Sequence, residues 1–454
     1  MNKVALHTLG CKLNFAETST VGRQFAERGF QVVDADQPSD IFILNTCSVT
    51  EKADRECRQI IRRTLRHSPN AYVVVVGCYA QLQPEEIASI DGVDLVLGAK
   101  EKFRVFDYIG NFKKQSVPHV FVSCIDEHTE FQPSYSAEVG GRTRAFLKIQ
   151  DGCDYTCTFC TIPLARGKSR SQSIESVLQQ AESLVNLGYK EIVLTGVNVG
   201  DYGRKTNSSL FELLQQLDSV ENLDRIRISS IEPNLLTREM VDFILSSEKF
   251  CNHFHIPLQS GSDTVLKLMR RRYLTDYYRE LISYIKSQDP TAGIGADVIT
   301  GFPGETDELF EETYSFLNEL PVSYLHVFTY SEREHTPASE FAGTVNPKIR
   351  SERNERLRML SFKKRRAFYS SFEGKTLPVL FESSTGELQT GLTANYIRVE
   401  TPYPNALVNQ IHDVRINKID HDACTGTLIF ANGVSELYTG NVTRNFFEVL
   451  SPIQ

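Results

Sequence analysis

Three cysteines at close spacing, Cys153, Cys157 and Cys160, are the residues of this chain best suited to chemistry. Their thiolates can share one small metal centre. A tetrahedral zinc site would need a fourth protein ligand, and no further cysteine or histidine stands close by in the sequence. A cubane 4Fe–4S cluster normally takes four cysteines. Three cysteines therefore leave one iron with an open position, where a small molecule can bind.

Three further cysteines, far apart in the sequence, are expected to meet at one edge of a parallel sheet. The group comprises Cys11, Cys47 and Cys78, which follow predicted strands at residues 4–8, 41–44 and 72–76. Ligands of such sheets bind beyond the carboxyl ends of the strands. We therefore predict a second three-cysteine cluster. The alternative is that these thiols only pack as small hydrophobic groups.

The elements that would position these cysteines predict an α/β fold in three units. Strands alternate with helices in residues 1–112, which predicts an open domain with a parallel sheet. Residues 113–138 are rich in lysine, serine and proline and predict a linker. Six strand–helix units in 139–371 predict a partial (β/α)6 barrel with its site at the carboxyl ends of the strands. Short strands in 372–441 predict a small five-stranded β-barrel, and 442–454 a tail.

The amino-acid composition indicates in which cellular compartment the protein works and which kinds of partner it binds. The 454 residues and 41% hydrophobic content suffice for two or three domains. The ten cysteines are spread over the whole length, which favours metal binding in a reducing cytoplasm. We find no signal peptide and no apolar run near the roughly 18 residues of a membrane span. The net charge of −8 does not indicate a general nucleic-acid binder. Only local basic clusters, such as residues 348–366, would contact phosphates. The default interpretation of that segment is a solvated helix face.

An aromatic residue before Cys160 completes a motif that resembles the CxxxCxφC signature of radical S-adenosylmethionine (SAM) enzymes. Over essentially its full length the chain resembles the radical-SAM methylthiotransferases. These have an amino-terminal domain with three cysteines, a radical-SAM core and a TRAM domain, the small β-barrel. The stretches that carry the resemblance are residues 8–14, 45–50, 76–81, 148–167, 229–233 and 391–396.

Three branches of this family compete. One acts on isopentenylated adenosine in tRNA, one on an aspartate of a ribosomal protein, and one on N6-threonylcarbamoyladenosine in tRNA. Residues 161–167 and 194–203 are most similar to the third branch. Asn198 departs from its pattern, in which histidine is more usual.

The resemblance implies a transferase with two 4Fe–4S clusters, one on each cysteine triad, and SAM as the second cofactor. Carbon 2 of adenine bears an unactivated hydrogen, which a 5′-deoxyadenosyl radical derived from SAM would abstract. The cluster on Cys11, Cys47 and Cys78 would then deliver the methylthio group. The implied partners are the anticodon stem-loop of tRNA, an electron donor such as flavodoxin or ferredoxin, and a source of sulfur.

Polar and glycine-rich ends of the predicted barrel strands, with two aromatic residues of the cysteine loop, are the expected SAM contacts. They are Tyr155, Phe159, Thr195, Gly196, Ser230, Glu232, Gln259, Asp297 and Gly301. For any one of them, ordinary turn chemistry is the alternative.

Arginines near the cysteine loop are the expected substrate contacts, because the carboxylate of a threonylcarbamoyl group would need a cation when buried. They are Arg166, Arg170, Arg270, Arg271 and Arg272. Pairing with acidic neighbours or with phosphates is the alternative for them. A different class of protein, a non-catalytic iron–sulfur or zinc protein that binds RNA, would be told apart by colour, because a protein with two cubane clusters is brown.

Overall fold

The structure, a computed structural model, describes residues 2–47, 51–137, 143–420 and 422–429. Within these ranges it confirms the predicted α/β class with a parallel-sheet domain, a partial barrel and a small closed β-barrel. Residues 430–441 of the predicted small barrel and the tail at 442–454 lie outside the described residues. None of the described helices is long and apolar enough to cross a membrane.

The amino-terminal domain is a six-stranded parallel sheet in the order β2-β1-β3-β4-β5-β6. Its strands are β1 (Lys3–Thr8), β2 (Gln31–Val33), β3 (Ile41–Thr46), β4 (Tyr72–Gly77), β5 (Leu95–Leu97) and β6 (His119–Phe121). Its helices are α1 (Lys12–Glu27), α2 (Glu51–His67), α3 (Cys78–Leu82), α4 (Pro84–Ala88) and α5 (Val105–Tyr108). The central strands β3 and β4 are buried at every residue, as expected for a parallel sheet covered on both faces.

Two strands of this sheet were not expected from the sequence. Both β2 and β6 are three residues long, and β6 pairs with β5 from within the predicted linker at 113–138. That segment is therefore partly an edge of the sheet and not a free connection. A run of three residues carries too little periodicity to be separated from a loop by sequence pattern.

The second unit contains six parallel strands with helices between them, and three further strands of two residues each. Its strands are β7 (Ser134–Tyr135), β8 (Arg144–Lys148), β9 (Gln150–Asp151), β10 (Arg170–Ser171), β11 (Glu191–Thr195), β12 (Arg225–Ile228), β13 (His253–His255), β14 (Gly293–Thr300) and β15 (Tyr324–Thr329). Its helices are α6 (Ile162–Arg166), α7 (Ile174–Asn186), α8 (Leu210–Asp218), α9 (Arg238–Ser246), α10 (Asp263–Leu268), α11 (Thr275–Gln288), α12 (Asp307–Glu319) and α13 (Pro347–Ser370). Strands β8, β11 and β12 form one parallel set and β13, β14 and β15 the other, with bridges between β12 and β13. This is the predicted (β/α)6 arrangement.

Helix α1 of the amino-terminal domain lies against the inner face of the partial barrel. Alternate strand residues such as Leu147 and Ile192 pack outward with the surrounding helices. The residues between them, Phe146 and Val193, form a separate cluster with Ala16 of α1. Because side chains alternate between the faces of a strand, this second set faces inward. The inner face of the barrel is therefore covered in part by another domain.

The small barrel closes the amino ends of the partial-barrel strands. Its strands β16 (Thr376–Thr385), β17 (Leu388–Thr393), β18 (Arg398–Pro402), β19 (Ile411–Asp420) and β20 (Ala423–Ile429) form a closed ring. Arg225, the first residue of β12, donates to the carbonyl of Leu392 at 3.1 Å. Arg227 donates to the carbonyl of Ala394 at 2.8 Å. The ring of Tyr396 stacks on His253, with 4.5 Å between the ring centroids.

A buried group of charges holds the amino-terminal domain to the carboxyl end of the partial barrel. We call it the interdomain ion cluster; its members are Glu17, Lys102, Lys148, Asp151, Arg166 and Arg170, all at most 8% exposed. Glu17 of α1 accepts from Lys102 at 2.6 Å, from Arg166 at 2.9 Å and from Lys148 at 3.1 Å. Asp151 accepts from Lys148 at 2.7 Å and from Arg166 at 3.0 Å.

Removing the charge of Glu17 tests whether this cluster fixes the domains. Glu17→Gln leaves buried cations with one carboxylate fewer, and breaking a buried ion pair typically costs about 3–5 kcal/mol. We expect a loss of that size in the free energy of unfolding, measured by chemical denaturation. The control is Glu27→Gln, an exposed carboxylate on the same helix. Equal and small losses in the two variants would contradict the role of the cluster.

Candidate active site

The first cysteine triad lies at the carboxyl edge of three adjacent strands. Strands β1, β3 and β4 are neighbours in the sheet, and Cys11, Cys47 and Cys78 follow their ends. Gly10 permits the close approach of two of these residues. Its φ is +100°, and a Cβ added there would lie 2.6 Å from the Cβ of Cys47. The predicted convergence of three distant cysteines is thus present in the geometry.

Asn14 fixes the loops that carry two of these cysteines. Its side-chain amide donates to the carbonyl of Leu9 at 2.7 Å and to that of Thr46 at 3.1 Å. The side chain of Cys11 is accessible to solvent, yet the protein around it raises the pKa of its thiol. Asn14 therefore links the loop that carries Cys11 to the end of the strand that precedes Cys47.

The second triad, Cys153, Cys157 and Cys160, lies in the loop between β9 and α6. The loop is closed by a hydrogen bond from the backbone N–H of Cys153 to the carbonyl of Gly167, at 3.0 Å. The backbone N–H of Tyr155 lies 3.4 Å from the sulfur of Cys153. The guanidinium of Arg271 donates to the sulfur of Cys157 at 3.1 Å. Donors that point at the sulfur atoms favour thiolates, the form that binds metals.

The donor chemistry of the second triad fits a cluster of cationic irons. Burial raises the pKa of Cys153 to about 11 and that of Cys160 to about 12. Both side chains would be neutral thiols at pH 7 without a cation, and a metal centre supplies that cation.

The spacing of the sulfur atoms disfavours a single zinc ion. The thiolates of one zinc ion lie about 3.8 Å apart, given a Zn–S distance of about 2.3 Å. Among the residues that the structure describes, only His255, Asp297 and His326 form a group of such ligands within 4.8 Å of one another. Neither cysteine triad is that tight, which leaves room for a larger cluster.

The two triads are joined by packed helices. Helix α3 begins at Cys78 and packs against α6, which begins two residues after Cys160. Arg166, the last residue of α6, donates to the side-chain oxygen of Asn14 at 2.6 Å. Burial alone would lower the pKa of Arg166, but Glu17 and Cys78 hold it well above its ordinary value. This guanidinium therefore lies between the two triads and stays charged.

Two of the predicted substrate arginines are engaged within the protein. Arg166 is 2% exposed and bonded to Glu17, Asp151 and Asn14. Arg170 donates to the carbonyls of Arg166 and Lys168 and lies 3.5 Å from Asp151. The geometry agrees with the alternative stated above, pairing with acidic neighbours.

The three consecutive arginines separate into different environments. Arg271 is buried and bonded to Glu232, to the hydroxyl of Tyr273 and to the sulfur of Cys157. Arg270 and Arg272 are exposed. The guanidinium of Arg272 lies 3.7 Å from the ring centroid of Tyr155. Glu232, predicted to contact SAM, is thus the ion-pair partner of Arg271.

Among the predicted cofactor contacts, Thr195 has a side-chain hydroxyl that is free to bind a ligand. Its buried hydroxyl has no hydrogen-bond partner in the described part of the chain, and neither do the amide atoms of buried Asn198. Buried polar atoms are normally bonded, so these fit a bound ligand. Gln259 has a φ of +72°, strained for a residue other than glycine and typical of functional sites.

The remaining predicted cofactor contacts are engaged with protein. Ser230 lies 2.8 Å from His255, and His255 lies 2.8 Å from Asp297. A Cβ at Gly196 would lie 2.9 Å from the Gln150 side chain, and one at Gly301 would lie 2.2 Å from that of Arg350. Phe159 packs in an apolar cluster with Phe302, and the hydroxyl of Tyr155 accepts from Asn234.

Sequence reasoning missed four polar residues of the inner face. They are Lys12, His255, His326 and Tyr396. Burial alone would raise the pKa of Tyr396, but Lys12, Arg144 and Arg227 lower it. His326 lies 3.2 Å from Asp297. The sequence signal that could have found some of them is the alternation of side chains along β13 and β14. In that alternation His253, His255 and Asp297 stand at inward positions.

Comparisons with known proteins agree with this geometry. A profile described as "Uncharacterized protein family UPF0004" matches residues 3–98, and one of the Radical SAM superfamily matches residues 147–317. The threonylcarbamoyladenosine tRNA methylthiotransferase MtaB of Bacillus subtilis (strain 168) is 41% identical over 436 residues, 94% of this chain and 97% of that protein. The chain belongs to the radical-SAM methylthiotransferase family. The protein of the same name from Aquifex aeolicus (strain VF5) is 39% identical over 88% of this chain and 96% of that protein.

Membership of this family establishes an enzyme that transfers a methylthio group and works with SAM and iron–sulfur chemistry. A solved structure with the same fold is the radical SAM methyltransferase TsrM from Kitasatospora setae. The TM-score is 0.54 at 16% identity, over 74% of each chain. The sequence motifs predicted the threonylcarbamoyladenosine branch. The names of the two relatives confirm that prediction.

Cysteine variants of this methylthiotransferase test which triad cleaves SAM and which one is needed to deliver the methylthio group. Cys157→Ala should abolish reductive cleavage of SAM while about half of the iron remains, as expected if each triad holds one 4Fe–4S cluster. Cys47→Ala should still form 5′-deoxyadenosine but no methylthio product. Iron analysis and chromatography of the products measure both. Cys124→Ala, an exposed cysteine outside both triads, is the control and should keep all the iron. The reverse pattern would show that the roles are exchanged.

Proposed function

We propose that this methylthiotransferase converts N6-threonylcarbamoyladenosine next to the anticodon of tRNA into its 2-methylthio derivative. In this proposal each cysteine triad holds one 4Fe–4S cluster, and two SAM molecules are used in each turnover. An electron donor such as flavodoxin or ferredoxin and a source of sulfur are further partners. A tRNA substrate also implies action in the cytoplasm.

The observation that carries the proposal is the pair of cysteine triads at one domain interface. Helices α3 and α6 pack against each other beside the two triads. Arg166 bonds to Asn14, three residues after Cys11, and to Asp151, two residues before Cys153. Replacing a hydrogen by a methylthio group requires two events at one carbon, abstraction and sulfur delivery. Two clusters held at one domain interface, on either side of the substrate base, would meet that requirement.

When bound, the clusters and SAM would supply the radical that takes the hydrogen from carbon 2 and the methylthio group that replaces it. The protein's own task is to position these groups and to exclude water. Arg271 holds Cys157 and Glu232 in one bonded set at the second triad. Thr195, Asn198 and Gln259 are the residues we assign to SAM, because the first two have unbonded buried atoms and the third is strained.

The substrate class is supported by the relatives. The proteins from Bacillus subtilis and Aquifex aeolicus that carry the threonylcarbamoyladenosine name match this chain along nearly their whole lengths. The exposed arginines Arg270 and Arg272, close to the second triad, are available to RNA phosphates. Local cations suffice for such contacts despite the net charge of −8, since salt screens distant charge within about 10 Å.

Two anticodon stem-loops distinguish the substrates. We expect anaerobic, iron-loaded enzyme with SAM and a reductant to methylthiolate the stem-loop bearing threonylcarbamoyladenosine, but not the one bearing isopentenyladenosine. Mass spectrometry of the digested nucleosides gives the readout. Cys157→Ala serves as the inactive control for both RNAs. Product from the isopentenyl stem-loop alone would overturn the proposed substrate.

A further inference from the structure

We propose that Lys12 binds the carboxylate of the threonylcarbamoyl group and thereby selects the modified adenosine. This inference rests on the proposed function and adds a specificity residue to it. Lys12 was not among the cations expected from the sequence. Three observations support it: its position, its lack of a partner, and the engagement of the neighbouring cations.

Lys12 lies between the first triad and the inner face of the partial barrel. It directly follows Cys11 and is the first residue of α1. On a helix, residues three and four positions apart share a face, so Lys12 shares one with Phe15 and Ala16. Phe15 and Ala16 pack with Phe146 on the inner face of the barrel. The lysine side chain therefore starts on that same side, one residue from a ligand of the first triad.

The ammonium of Lys12 makes no hydrogen bond or ion pair with any residue that the structure describes, although the side chain is half-buried. The groups that attract it most strongly are the phenol of Tyr396 and then the carboxylate of Asp297. That carboxylate is already bonded to His255 at 2.8 Å and lies 3.2 Å from His326. A half-buried cation without a bonded carboxylate is unfavourable, and an incoming carboxylate relieves the cost.

The other cations near Lys12 are already matched with carboxylates. Arg144 is bonded to Glu382, and Arg227 is bonded to Glu191 at 2.7 Å. Helix α1 begins without a side-chain cap, so its dipole adds positive potential at the same point. This part of the site therefore presents net positive charge through Lys12.

The shape of the substrate places its carboxylate within reach. Carbon 2 must approach the first triad to receive the methylthio group, and the threonylcarbamoyl group is attached to N6 on the same ring. Lys12 stands next to Cys11, and its flexible four-carbon stem carries a point charge outward from the helix. Isopentenyladenosine has no carboxylate and would leave this ammonium unpaired.

A comparison of the wild-type enzyme with two Lys12 variants on two substrates tests the proposal. The substrates are stem-loops bearing threonylcarbamoyladenosine or its threonine carboxamide, which has nearly the same shape but no charge. Wild-type enzyme should prefer the acid by about ten- to a hundredfold in kcat/KM and in Kd, the size of one charge-assisted hydrogen bond. Lys12→Met should lose that factor on the acid and show no preference between the two RNAs. Lys12→Arg should keep most of the preference.

The binding measurement uses fluorescence anisotropy of labelled stem-loops with iron-loaded enzyme, so it does not depend on turnover. Arg28→Gln, which removes an exposed charge at the far end of α1, is the matched control and should keep the wild-type preference. Equal loss on acid and carboxamide in Lys12→Met would overturn the role of Lys12. If wild-type enzyme acts only on the isopentenyl stem-loop, the proposed function itself fails, and this inference with it.

Discussion

The placement of one buried carboxylate fixes the arrangement of the whole site. Glu17 belongs to the amino-terminal domain, yet two of its three cationic partners, Lys148 and Arg166, belong to the partial barrel. Burying an ion costs several kcal/mol unless its partners are in place. Moving the domains apart would leave these charges without partners. The docked arrangement is therefore strongly favoured, and the distance between the two cysteine triads is set by it.

The interdomain ion cluster also carries an excess of positive charge. Four cations, Lys102, Lys148, Arg166 and Arg170, surround two carboxylates, Glu17 and Asp151. The first triad lies beside this excess. Burial raises the pKa of Cys11, but Arg166 acts in the opposite direction. Thiolates at the first triad would thus complete the charge balance of the interface, so a cluster held there would also strengthen domain docking.

Local spacing and strand order were enough to predict where the cysteines of both triads lie in the fold. The second triad lies within eight residues, and the first follows from the rule that parallel strands end at one edge. The roles of Arg166 and Glu232 were not predictable in the same way. Arg166 is bonded to Glu17, 149 positions away, and Glu232 to Arg271, 39 positions away. Ion-pair partners so distant in sequence leave no local pattern. Sequence alone therefore cannot distinguish a buried arginine that pairs within the protein from one that binds substrate.

Lys12 was not predicted as a site residue because no sequence pattern marks it. In the sequence it is one polar residue beside a conspicuous cysteine. Only the docking of α1 against the inner face, through Ala16 and Phe146, shows where its side chain begins.

Access to the site follows from what covers the partial barrel. The small barrel closes the amino ends of the strands through Arg227 and Tyr396, and the amino-terminal domain covers the carboxyl ends. Part of the inner face is already occupied by α1. A base paired within a duplex cannot reach a carbon-centred reaction between such surfaces, and enzymes of this kind act on bases taken out of the stack. An adenosine in a single-stranded anticodon loop needs the least energy to be turned outward, so the closed architecture itself favours a loop nucleotide over a paired one.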